Sequence, residues 1–117
     1  MIENYDIGID LSNIERFKKK PFETNKSFYK KIFTAKEITY CLKYKNPHER
    51  FAGKFALKEA LIKSINKKVS FSEIETFHLN SKPMVEIKKF KKNYNFIASI
   101  SHENNFAIAV VVSEKII

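Results

Sequence analysis

Glycine is almost missing from this sequence. The two that occur, Gly8 and Gly53, are too few and too far apart for a phosphate-binding P-loop or a dinucleotide fingerprint, both of which need clustered glycines. Cysteine is scarcer still. The single Cys41 excludes an internal disulfide, and with His48, His78 and His102 scattered along the chain it gives no zinc-site spacing. It sits at an apolar helical position, which predicts a buried thiol rather than a nucleophile. No apolar run approaches the roughly 20 residues of a membrane span, and Met1-Ile2-Glu3-Asn4 lacks the pattern of a signal peptide. We therefore expect a cytoplasmic protein with no membrane role. Acidic residues are also in the minority, 13 Asp and Glu against 22 Lys and Arg, for a formal charge of +9. That excess favours an anionic partner, which leaves nucleic acid, anionic lipid, a phosphorylated cofactor or an acidic protein. A merely solvated lysine-rich surface fits it too.

What is present reads as one domain over residues 1–117, with 44% hydrophobic and 30% charged residues. A chain this short has few elements with which to finish its own core. Tyr5, Ile7, Ile9 and Leu11 alternate with Asp6, Gly8 and Asp10, which predicts a first strand with two aspartates on its second face. Ser12-Asn13-Ile14-Glu15 reads as a capping box that starts a short helix, ended by Lys18-Lys19-Lys20-Pro21. Thr34-Ala35-Lys36-Glu37 is a second such box, opening a helix with Ile38, Cys41 and Leu42 inward. Asn46-Pro47 starts a long helix that should run to about Asn66. In it Phe51, Phe55, Ile62 and Ile65 share one face with Ala52, Ala56 and Ala60, while Arg50, Lys54 and Lys58 recur on another, basic face.

Beyond it the period changes to two. Ser72 to Leu79 and Met84 to Ile87 predict strands around a turn at Asn80-Ser81-Lys82-Pro83, and Phe96 to Ser101 and Phe106 to Val112 predict a hairpin around Glu103-Asn104-Asn105. Strand, helices, then antiparallel strands make the fold class α+β. Phe106-Ala107-Ile108-Ala109-Val110-Val111-Val112 is apolar at every position, so we expect its strand to be covered on both faces.

Several residues invite a chemical reading. Glu59 is either half of an exposed pair with Lys63, four residues on, or a site carboxylate on a helix whose Gly53, Ala56 and Ala60 allow close approach. Asp10 either helps cap a helix or offers a ligand at the end of a strand. Ser101-His102 is a poor nucleophile and base, because neighbours on a strand point to opposite faces. The lysines with Phe28 and Tyr29, which look exposed, suit a basic nucleic-acid-binding module, though no such motif occurs.

Two features combine: Gly8-Ile9-Asp10-Leu11, and Phe51-Ala52-Gly53-Lys54-Phe55-Ala56-Leu57-Lys58-Glu59-Ala60 followed by Lys63. Together they resemble the holo-acyl-carrier-protein synthases, the short trimeric class of the 4′-phosphopantetheinyl transferases. Ile32-Phe33-Thr34, Glu37, Ile74-Glu75, Lys82-Pro83 and Ser99-Ile100-Ser101-His102 fall in the family's order, so the resemblance covers nearly the whole chain.

The resemblance implies the phosphopantetheinyl transferase fold and a magnesium-dependent transfer of 4′-phosphopantetheine from coenzyme A to a serine of apo acyl carrier protein, releasing 3′,5′-ADP. It makes Asp10 and Glu59 the metal ligands. Glu59 and Lys63, with Glu37 as a weaker candidate, become the catalytic groups, and Lys54, Lys63, Lys82, Pro83 and His102 the coenzyme contacts. Arg16, Lys18, Lys19, Lys20, Phe28, Lys30 and Lys31 become the surface for the acidic carrier protein. A homotrimer with sites between subunits is implied too. Two departures touch the coenzyme's adenosine end: Asn66-Lys67-Lys68 replaces a glycine-rich turn, and Ser81 replaces the glycine before Lys82-Pro83. The segment after the Lys-Pro strand is short and basic, so the helix usual there is expected to be reduced or absent.

Overall fold

The long helix runs from Pro47 to Lys63, with Asn46 as its N-cap and proline in its first turn, where a missing N–H costs no hydrogen bond. It is the fourth helix, α4, of a computed structural model that describes residues 2–117. Before it come strand β1 (Tyr5–Asn13) and helices α1 (Ile14–Lys18), α2 (Lys26–Ile32) and α3 (Ala35–Leu42). After it come β2 (Ile74–Leu79), β3 (Lys82–Ile87), β4 (Tyr94–Glu103) and β5 (Phe106–Lys115). This is the expected α+β order. The strands form an antiparallel three-stranded sheet, β1-β5-β4, and a separate β2-β3 hairpin. No helix among the described residues is long and apolar enough to cross a membrane.

Local chemistry explains most boundaries. Thr34 and Glu37 close a full capping box at the start of α3. Asn80 and Ser81 both take positive φ, 51° and 66°, as a two-residue hairpin turn between right-twisted strands requires. Lys82-Pro83 therefore belongs to β3 and not to the turn. The basic stretch after β3 makes only a three-residue 3-10 turn, Lys88–Phe90. At the amino end Asn13, not Ser12, caps α1 by accepting from the Glu15 N–H at 2.9 Å. β1 consequently extends to Asn13, and Asp10 lies within the strand rather than at its end.

The sheet is turned opposite to what its large residues suggest. Gly8, Ser12, Ala107, Ala109, Val111 and Ser113 face α4 and are buried. Ile7, Ile9 and Leu11 point the other way and stay more than half exposed, at 62%, 53% and 60%. The second face of β5, with Ile108, Val110 and Val112, is only half-buried, so the double cover expected for that strand is not supplied by this chain alone.

Small residues on the inner face let strand and helix touch. A Cβ on Gly8 would stand 1.8 Å from the Ala60 carbonyl oxygen and 3.0 Å from Lys63 Cβ. Only glycine fits there.

The second correction concerns the basic face of α4. Lys58 is fully buried, and its three ammonium protons are donated to Glu37 Oε1 (2.6 Å), Ile32 O (2.7 Å) and Phe71 O (3.0 Å). Glu37, 1% exposed, has both oxygens occupied: Oε1 also accepts the Thr34 N–H, and Oε2 accepts the N–H and hydroxyl of Thr76. Lys54, 3% exposed, donates to Thr76 Oγ1 and O at 3.0 and 3.2 Å. The period-four lysines thus tie α4 to α2, α3 and β2. Two apolar clusters lie beside this polar seam: one joins α4 to the strands through Leu57, Leu61, Ile74, Ile87 and Val111, the other joins it to the first helices through Phe17, Tyr29, Phe33 and Phe51. Cys41 is buried as expected, its thiol pushed up to about 12 by burial, whereas Leu42 is exposed.

Substituting Gly8→Ala forces backbone apart at the strand–helix contact, where no side chain can yield. Overpacking a core costs about 1–3 kcal/mol, and a clash with backbone belongs at the upper end or above it. Urea unfolding should show a loss of at least about 3 kcal/mol or no folded protein. A loss below about 0.5 kcal/mol would mean that β1 does not sit against Ala60.

Candidate active site

Because Gly8 lies against Ala60, the next inward residue of β1, Asp10, faces the last turns of α4. Lys63 Nζ donates to Ile9 O at 3.0 Å and to Asp10 Oδ1 at 3.3 Å. The Asp10 side chain is 16% exposed and that of Lys63 53%, so the carboxylate is tucked in and the ammonium covers it from outside. Glu59, one turn earlier on α4, is half-buried and near enough to Asp10 to feel its charge. Burial first, and then the Asp10 carboxylate, push its pKa above the ordinary carboxyl value, while Lys63 and Arg16 pull it back.

Asp10 and Glu59 line an open cleft of about 420 Å³, with Leu11, Ser12, Asn13, Arg16 and Phe55 on its other walls, and Lys63 joins it through its bond to Asp10. Arg16 reaches it from α1, its guanidinium 4.6 Å from the Phe55 ring centre. The start of α1 is itself pinned, since the Ile14 N–H donates to Asn105 O in the β4–β5 turn at 2.7 Å. A larger groove of about 550 Å³ runs between the start of α3 and β3, but its charges are mixed and partly paired, with Lys89 2.7 Å from Glu73. It lacks convergent groups of one sign.

The donor set of the cleft suits one class of ion. The Asp10 carboxylate helps raise the proton affinity of Glu59, and a cation between the two would relieve it. Among the described residues no group of three or more His, Cys, Asp or Glu side chains could hold a metal. A hard cation that keeps several waters and takes substrate phosphates, as magnesium does, fits two carboxylates; a zinc-like ion wanting four protein ligands does not.

The sequence-predicted residues divide. Asp10, Glu59 and Lys63 come together as expected, joined by Arg16, which we had placed only on the carrier surface. Glu37 and Lys54 do not join them: both are sealed in the polar seam, and no oxygen of Glu37 is free to take a proton from a nucleophile. His102 points to the inner face of β4, its Nε2 3.1 Å from where a Gly53 Cβ would stand. Its register partner on β5 is Ala107, which also pairs with Ser12, so His102 lies about two strand spacings, or about 10 Å, from the cleft wall. Lys82 and Pro83 lie at the tip of the β2-β3 hairpin, outside the cleft. Lys18, Lys19, Lys20, Lys30 and Lys31 are exposed, and Lys20 Nζ lies 4.2 Å from the half-buried Phe28 ring. Tyr29, expected to be exposed, is buried, its hydroxyl donating to Lys20 O at 2.5 Å. Phe55 and Ser12 were missed as cleft residues. Both were visible only as core and cap positions.

The chain is similar to proteins of known activity. Residues 6–111 match the model of the 4′-phosphopantetheinyl transferase superfamily. Over 114 residues the chain is 39% identical to a holo-[acyl-carrier-protein] synthase of Thermodesulfovibrio yellowstonii, covering 96% of this chain and 98% of the relative. A Clostridium tetani protein of the same name is 38% identical over 119 residues, covering 92% and 94%. Among solved structures, the Helicobacter pylori holo-[acyl-carrier-protein] synthase in complex with coenzyme A superposes with a TM-score of 0.78 at 35% identity, covering 92% of this chain and 99% of that one. A Bacillus anthracis holo-(acyl-carrier-protein) synthase, in complex with CoA (3′,5′-ADP), gives 0.77 at 34% identity, covering 93% and 95%.

The raised proton affinity of Glu59 gives a pH dependence with a definite sign. A carboxyl held above its unfolded value of about 4.5 stabilises the fold while protonated, and that contribution is lost as pH rises from there through the raised value. In metal-free protein Glu59→Gln should therefore gain in melting temperature over the parent as pH climbs from about 4 to about 7, and added magnesium should narrow the gap. Melting temperatures that track each other across that range would show that neither burial nor Asp10 raises the proton affinity of Glu59.

Proposed function

The chain belongs to the 4′-phosphopantetheinyl transferase superfamily, and from that premise we propose that the β1–α4 cleft is where it performs the transfer. It is an enzyme, a phosphopantetheinyl transferase that moves 4′-phosphopantetheine from coenzyme A to a serine of apo acyl carrier protein. The observation that carries the site is the convergence of Asp10 and Glu59 on one cleft, with Lys63 bonded to Asp10, held by the Gly8–Ala60 contact.

In this reading Asp10 and Glu59 hold a magnesium ion. The ion, when bound, neutralises phosphate charge as a Lewis acid. Lys63, more than half exposed, swings its ammonium from Asp10 to a phosphate oxygen of the coenzyme's pyrophosphate. Arg16, on the cleft wall, supplies a second positive group. The serine oxygen of the carrier attacks the phosphorus that bears the pantetheine arm, and the bond to the other phosphate breaks, so that 3′,5′-ADP leaves. Glu59, on the cleft wall, takes the serine proton through a water, a role from which burial bars Glu37.

Lys18, Lys19 and Lys20, close in sequence to Arg16, together with Lys30 and Lys31 at the end of α2, meet the acidic carrier protein and mainly steer its approach. The reading puts the enzyme where its coenzyme is made, in the cytoplasm. Mass spectrometry tests the reaction directly: apo carrier incubated with enzyme, coenzyme A and magnesium should gain one phosphopantetheine on serine. Asp10→Ala and Glu59→Ala should each lower that transfer by more than the about 10–100-fold that an outer partner of a metal is worth, with a native circular-dichroism spectrum. Parental rates at limiting magnesium would remove the metal assignment.

We also propose that the enzyme is a homotrimer, its subunits meeting over the outer face of the sheet. Ile7, Ile9, Leu11 and Ile97 are each more than half exposed on that face, a contiguous apolar surface of the kind that marks an interface. His102, Lys82 and Pro83, outside the cleft of their own chain, would reach a neighbour's coenzyme. Ile9→Lys should convert the trimer to monomer in sedimentation and lower transfer with it. A parent that sediments as a fully active monomer would overturn this assembly.

A further inference from the structure

One polar atom beside the cleft is left over. Ser12 is 3% exposed, and among the described residues its Oγ is the one buried side-chain oxygen or nitrogen with no hydrogen-bond partner. The hydroxyls of Ser64, Thr76 and Ser113, equally buried, all have partners. Nor does Ser12 cap α1, since Asn13 does that. Packing gives no reason for a hydroxyl either, because its cross-strand partner is Ala107, and an alanine at position 12 would leave nothing to satisfy.

Its place does suggest a use. Ser12 follows Asp10 on the same inward face of β1, about 7 Å along the strand. It lines the cleft with Asp10, Arg16 and Glu59. Two carboxylates leave most of a magnesium shell to waters and phosphate oxygens, and those waters need acceptors of their own. We infer that Ser12 is a positioning residue for the cation, its hydroxyl accepting a hydrogen bond from a water of the ion's shell. The inference rests on the reading of the cleft as a divalent-ion site. It acts through that water, so it adds no ligand and takes no part in bond breaking.

The test is calorimetric titration of magnesium into the whole protein saturated with coenzyme A, for the parent, Ser12→Ala and Ser12→Cys. The cysteine fills the hydroxyl's place with a slightly larger atom that is only a weak acceptor. Both variants should bind magnesium about tenfold more weakly. Coenzyme A affinity without metal should be unchanged, and the melting temperature unchanged or higher because an unsatisfied hydroxyl is gone. Parental magnesium affinity in either folded variant would overturn the role of Ser12 while leaving the ion site intact. A parent that takes up no magnesium beside coenzyme A would overturn the site itself, and this inference with it.

Discussion

The contact of Gly8 with the Ala60 carbonyl is the constraint on which the rest of the site depends. A strand and a helix packed through ordinary side chains would hold their backbones too far apart for short carboxylates on each to share one ion. Here the strand lies on the helix backbone, and residues two on from Gly8 and one before Ala60 are thereby brought together. The alanines at 56, 60, 107 and 109, all at most 1% exposed, belong to the same device. Their apolar area is small, so this layer stabilises little by burial. It sets position.

What anchors the helix is on its other side. Lys58, Glu37 and Thr76 form a closed polar seam in which each buried charge meets its partners, and burial pulls the Lys58 pKa down while Glu37 holds it up. Breaking such a pair by removing one partner costs about 3–5 kcal/mol, because the other charge is then left buried and alone. The seam joins α4 to elements far apart in the chain, from Ile32 to Thr76, so the orientation of Glu59 and Lys63 is fixed by residues outside the cleft.

Much of this was legible in the sequence. The capping box at Thr34, the proline start of α4 and the strand periodicities follow local rules that tertiary structure did not override, whereas the Asp10–Glu59–Lys63 set was legible only through the family resemblance. The basic face of α4 was misread because a lysine at every fourth position looks the same whether solvent or a buried carboxylate meets it. Glu37 was the signal for the second case, but a capping glutamate explained it already. Ser12 was hidden likewise: serine two residues after a strand aspartate reads as a cap until Asn13 takes that place. Separation in sequence, 21 residues for Lys58 and Glu37, is what no local pattern can cross.

The orientation of β1 carries the remaining step. Alternation told that one face was apolar and one polar, and ordinary experience assigns the apolar face to the core. Yet a strand that must deliver an aspartate to α4 has to turn its Asp10 face inward, and with a period of two every isoleucine then points out. The chain cannot have both Asp10 on the helix side and Ile7, Ile9 and Leu11 in its own core. Function thus exports hydrophobic surface, and the proposed association of subunits is where that surface would be covered. On that view the oligomer follows from the site rather than adding to it: stability of the folded chain becomes tied to protomer concentration, and so does the placing of His102 and Lys82, which their own cleft does not use.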